Sequence, residues 1–129
     1  MSAIETSLEL AAERAGDITQ NVYERLFAQH PDMLPLFVRD KTGSVRGEML
    51  ARTIDVLLDF CGADAYGGNF IRSEVVTHEG YGVPRDIFPK FFDAIAQTVR
   101  DILCADWSVD MDREWRALIA RCYALCEPG

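Results

Sequence analysis

The sequence predicts an all-α fold, and three observations carry that prediction. Apolar residues recur three and four positions apart through most of the chain, as in Ile18, Val22, Leu26 and again in Met111, Trp115, Leu118, Cys122 and Leu125. Alternation at period two is absent and β-branched residues are scattered, so no strand competes with the helical pattern. Glycine and proline fall between the periodic stretches, where helices stop. With 129 residues the chain is long enough for one ordinary core and too short for two, so residues 1–129 are expected to form a single domain.

The elements follow in order. Ser2 and Glu5 form a capping-box pair, and Ile4, Leu8, Ala11 and Ala15 supply the stripe of a first helix that Gly16 and Asp17 interrupt. A second helix is expected over about 18 to 30, with Tyr23 and Phe27 beside its apolar stripe. Pro31 and Pro35 break the chain into a corner that still carries Leu34, Leu36 and Phe37, and apolar residues in such a corner imply that it covers something. Asp40 to Gly43 reads as a turn. A long helix is expected over about 44 to 60, apolar on more than one side, and Gly62 ends it. Gly67 and Gly68 read as the next loop, before a short helix over about 69 to 80 that carries Ile71, Val75 and His78. Pro84 is expected to open the helix bearing Phe88, Phe91, Phe92, Ile95, Val99, Ile102 and Leu103. Trp107 lies in the following corner and Ser108 caps the last helix. No internal repeat or sustained heptad is present.

Composition narrows the function classes. The formal net charge is -8, with acidic groups spread along the chain, which disfavours nucleic acid or an anionic membrane surface as partner. No apolar run reaches membrane-spanning length, and the acidic start of the chain argues against an export or import leader, so a cytoplasmic protein is expected. The four cysteines, Cys61, Cys104, Cys122 and Cys126, contain no Cys-x-x-Cys pair, which weakens zinc, thioredoxin-like and covalently attached haem readings together. Cys122 and Cys126 share a helix face and read as small apolar filling.

Two polar residues sit on apolar stripes. His78 follows Val75 by three residues and Ile71 by seven, so its imidazole points inward just before a glycine-marked helix end. Such a ring serves either as an axial metal ligand, with its second nitrogen donating to an acceptor, or as a core histidine with ordinary partners. Tyr23 projects from the apolar side of its helix, and a buried phenol must find a partner: a polar ligand or a backbone carbonyl. Phe37 either stacks on a planar group or plugs the corner. His30, beside Pro31, reads as a helix-end residue.

The run from Val22-Tyr23-Glu24 through His30-Pro31 to Leu36-Phe37, the run His78-Glu-Gly-Tyr-Gly-Val83, and Trp107-Ser108 with Glu114-Trp115 together resemble bacterial single-domain globins, similar to the haem domain of flavohaemoglobins and to bacterial haemoglobins. The resemblance touches most of the chain. It implies a globin-like fold around haem b, with His78 as the proximal iron ligand, Tyr23 as the distal donor and Phe37 stacked on the porphyrin. Val75, Tyr81, Val83, Phe88 and Phe91 are expected among the other haem-binding residues. The distal helix leaves two registers open. Counting in the flavohaemoglobin manner reaches Arg46 and Leu50, and counting as in animal globins reaches Met49 and Thr53. Arg46 would cover the haem edge with its stem and meet a propionate or ligand with its charge. One departure stands out: Phe88, ten residues after His78, replaces a tyrosine that in peroxidase-like flavohaemoglobins strengthens imidazole donation.

The function expected from this resemblance is reversible binding of dioxygen or another diatomic gas at a His78-ligated iron. The alternative is nitric-oxide dioxygenase or other haem redox chemistry, which would need an external reductase because the chain ends at Gly129 without flavin or NAD domains. A haem-free regulatory domain of the same fold is the third reading. A homodimer is the expected oligomer if one forms.

Overall fold

The structure is a computed structural model that describes residues 1–128. Among these residues the chain is all-α and strand-free, with six α-helices and two short 3₁₀ segments. Helix α1 spans Ala3–Ala15. The Ser2 hydroxyl accepts the Glu5 amide at 3.1 Å while the Ser2 amide donates back to the Glu5 carboxylate at 3.1 Å, so the capping box expected from the sequence forms. Gly16, at φ +66°, ends the helix in a conformation that a side chain would strain. Helix α2 (Thr19–Gln29) starts where Asp17 accepts both the Thr19 amide and its hydroxyl, and it buries Val22, Tyr23 and Leu26. Pro31 stops it, and residues Pro31–Phe37 form the first 3₁₀ segment.

Helix α3 (Ser44–Cys61) is opened from a distance by Asp40, whose carboxylate accepts the Val45 and Arg46 amides at 3.1 and 3.0 Å. Helix α4 spans Gly67–Gly80, so Gly67 and Gly68 belong to a helix and not to the expected loop. The reason is Asp59, near the end of α3. Its carboxylate accepts the amides of Ala65, Tyr66 and Gly67 at 3.0, 3.1 and 2.8 Å and caps α4 from across the connection. A β-carbon at Gly67 would stand 3.0 Å from the Phe60 ring and 3.1 Å from that carboxylate, so the glycine is there for close approach.

The helix expected to open at Pro84 opens later. Residues 85 to 89 form consecutive turns, and α5 spans Lys90–Leu103. Pro89 accounts for the delay: it has no amide hydrogen and its ring would clash with the carbonyl four residues back, so no helix can run through it from Pro84. Phe88 therefore sits in a turn. Beyond α5, Cys104–Asp106 form the second 3₁₀ segment, and Ser108 caps α6 (Val109–Cys126) by accepting the Met111 amide at 3.0 Å.

Helix α5 is the most enclosed element. It packs against α1, α2 and α6, while α4 packs on α3 and α6, and one apolar core draws on all six helices. Trp115 of α6 is fully buried, and its indole N–H donates to the Ser7 hydroxyl of α1 at 2.9 Å, which fixes the first helix against the last. Cys122 and Cys126 are buried free thiols in this core, the filling role expected of them. No helix among the described residues is long and apolar enough to cross a membrane.

Candidate functional site

Core residues such as Tyr23, Leu26 and Phe92, together with partly buried neighbours, line a cavity of about 120 Å³. Its walls come from α2, the Pro31–Phe37 corner, α3, α4, the turns before α5, and α5 itself. That volume is below the ~300–1,000 Å³ typical of sites for larger small molecules and suits a small guest. Eight residues singled out in the sequence meet here: His78, Tyr23, Phe37, Met49, Thr53, Val83, Phe88 and Phe91.

His78 lies in the last turn of α4. Its Nδ1 is 2.8 Å from the Glu74 carbonyl oxygen and 3.4 Å from the Glu74 carboxylate. The carbonyl oxygen can only accept, so the 2.8 Å contact favours the proton on Nδ1, with the carboxylate close by, and leaves Nε2 with its lone pair. The ring rests on Phe88, centroids 4.9 Å apart, a contact that restrains its rotation. An imidazole held in this way, on a helix, is the form a metal ligand takes.

Tyr23 is 3 % exposed, and its hydroxyl is buried with no hydrogen-bond partner. The ring is clamped by Phe91, Phe37 and Phe27, with centroids at 5.2, 5.4 and 5.8 Å. Burial pushes its pKa far above the usual tyrosine value; the Arg46 charge pulls the other way and Asp40 adds to the rise. The phenol therefore keeps its proton and can act only as a neutral donor or acceptor. Thr53 offers no free proton of its own, since its hydroxyl donates to the Met49 carbonyl at 2.7 Å.

The other four expected site residues lie elsewhere. Arg46 faces a separate polar cleft on the outer side of Tyr23, where its Nε meets the Asp40 carboxylate at 3.0 Å and a terminal nitrogen donates to the Asp40 carbonyl at 2.8 Å. Leu50 and Val75 are buried in the helical core, and Tyr81 is 76 % exposed. Of the two registers left open by the sequence, Met49 and Thr53 reach the cavity wall and Arg46 and Leu50 do not. Helix α3 turns the face of Met49, Arg52 and Thr53 toward the cavity, spaced by three and four residues.

Sequence reasoning missed Arg52 and Glu74 on the same wall, together with Phe70 and Ile87. A signal existed for two of them: Glu74 precedes His78 by four residues and Arg52 follows Met49 by three, so each shares a helix face with a residue already in view. Arg52 brings the only guanidinium to this wall among the described residues. No group of three or more His, Cys, Asp or Glu among the described residues could hold a metal ion. Compared with protein families, curated proteins and solved structures, the chain matches none of them.

Proposed function

We propose that this chain is a globin-like haem protein that binds dioxygen or another diatomic gas reversibly. The observation that carries the reading is the Tyr23 hydroxyl, buried without a partner on a residue that lines the apolar cavity whose wall also holds His78. An unsatisfied buried hydroxyl costs about 1–3 kcal/mol, a penalty that a polar guest would relieve.

What supports haem b is the chemistry of the residues present. His78 has Nδ1 engaged and Nε2 free, which suits it to axial ligation. A single imidazole suits a metal whose other donors come from a macrocycle. Phe37, Phe88 and Phe91 supply flat apolar walls, and Arg52 would meet an acidic substituent at the rim. Bound haem would supply an iron with one position open to a gas. The chain's own part is to hold the ring of His78, to exclude water with its aromatic walls, and to present the Tyr23 proton. Because that phenol stays protonated at neutral pH, it can donate to a polar diatomic molecule without a change of charge.

Haemin titration of the purified protein tests this. A Soret band should grow to one equivalent in the wild type and be lost or sharply displaced in His78→Ala. A colourless protein that takes up no haemin overturns the reading. Nitrate formed from nitric oxide under a supplied reductant would separate turnover from carriage.

A further inference from the structure

We infer that Glu74 is a positioning residue for His78: its carboxylate fixes the imidazole as the Nδ1–H tautomer and strengthens the donor power of Nε2. The inference rests on the haem reading for its functional consequence, but its geometry does not. Glu74 stands one turn before His78 on α4, and two of its oxygens face the same ring nitrogen: the backbone carbonyl at 2.8 Å and the carboxylate at 3.4 Å. A backbone carbonyl four residues back is available to a histidine on any helix. The carboxylate depends on the residue at that position being Glu74.

Several features give the carboxylate leverage. Its side chain is about 30 % exposed and lines the apolar cavity, where a charge is less screened than in water. The other neighbour of the imidazole, Phe88, has no polar atom with which to compete. A carboxylate that receives part of the Nδ1 proton's charge raises electron density at Nε2, which is how outer partners tune a ligating histidine. The group that orients His78 thus comes from its own helix.

The consequence has a definite sign. A more strongly donating imidazole favours ferric over ferrous iron, so the neutral isostere Glu74→Gln should raise the midpoint potential of the haem-loaded protein and lower its iron–imidazole stretching frequency. Loss of one outer partner typically changes metal affinity at least tenfold. A tenfold change in ferric-over-ferrous preference is about 59 mV for one electron.

Two measurements test the inference. In the haem-free protein, ¹⁵N NMR of the imidazoles should show His78 protonated at Nδ1 and bare at Nε2, with Glu74→Gln moving the population toward the Nε2–H form. A wild-type His78 that is mainly Nε2–H overturns the inference whether or not haem binds. In the loaded protein, an iron–imidazole stretch and potential unchanged in Glu74→Gln, with His78 still ligating, overturn it while leaving the haem reading intact. If the wild type takes up no haemin, that reading fails and the tautomer measurement still decides the role of Glu74.

Discussion

Replacing Tyr23 with phenylalanine should stabilise the haem-free protein, the opposite of the usual result for a buried tyrosine. Where a buried phenol is hydrogen-bonded, deleting it loses a bond worth about 1 kcal/mol. Here the hydroxyl is buried and unpartnered, so deletion removes an unpaid desolvation penalty. Taking the lower part of the ~1–3 kcal/mol range for an unsatisfied group gives a gain of about 1–2 kcal/mol. The ring stays clamped by Phe27, Phe37 and Phe91, so little packing is lost. Unfolding entropy of about 2.1 cal/mol/K per residue gives a chain of this length roughly 0.27 kcal/mol/K, so the melting temperature should rise by about 4–7 °C. Urea denaturation of the haem-free protein, with an unchanged m-value, is the direct assay. A Tyr23→Phe protein less stable than the wild type by 1 kcal/mol or more would show that the hydroxyl has a partner, and would remove the main support for a polar guest. In the haem-loaded protein the same substitution should instead accelerate gas release. Opposite signs in the two states are the mark of a residue kept for its ligand.

Three further outcomes follow from the packing and the charges. Ser7→Ala should destabilise by about 1–3 kcal/mol because it strands the buried Trp115 indole N–H, and Trp115→Phe made in that background should cost less than it does alone; strict additivity in urea melts would refute the pairing. Asp59→Asn should lower the melting temperature by several degrees at neutral pH. Burial works to raise the Asp59 pKa, but the amides of Ala65, Gly67 and Tyr66 and the Arg121 charge hold it below the ordinary value. Its contribution is therefore present above about pH 4 and lost as pH falls further, and the gap between the two proteins should close in acid. At the other end, burial raises the thiol of Cys122 to about 12 and that of Cys126 to about 11. Both remain protonated in the folded chain after they ionise in the unfolded one, so stability should fall as pH rises above about 8.5. Cys122→Ala should flatten that slope by up to about 1.4 kcal/mol per pH unit, read from urea melts at pH 9 and above.

Local chemistry made much of this molecule legible in the sequence. The Ser2–Glu5 box and the Ser108 cap act within three residues of the amides they satisfy, and both helix starts are where the sequence puts them. The inward direction of Tyr23 and His78 follows from spacing along one helix. The start of α4 was not legible in the same way, because the group that caps it is Asp59, eight residues before Gly67 and on another helix. Without that carboxylate, a double glycine reads as loop. Pro84 drew attention from Pro89, the proline that decides where α5 can begin. Within the site, the resemblance brings Arg46 forward as a residue at the haem edge, by counting in the flavohaemoglobin manner. What removes it is Asp40, whose carboxylate caps α3 and binds the guanidinium at once, and that double role needs three-dimensional geometry to be seen.

The position of Arg46 bears on why Tyr23 lacks a partner. Arg46 and Tyr23 border the same polar cleft, and an arginine has donors to spare, but a phenol that keeps its proton has most to gain from an acceptor. The nearby acceptor is Asp40, and its oxygens are already occupied by two amides and the Arg46 side chain. The two charges also act on the phenol with opposite sign, and burial keeps it protonated. Thr53, the other hydroxyl on the cavity wall, has its proton directed to its own helix. Asp40, Arg46 and Thr53 are thus each engaged elsewhere, and the aromatic clamp holds the phenol in place. A small polar molecule admitted beside the phenol would offer its proton a partner.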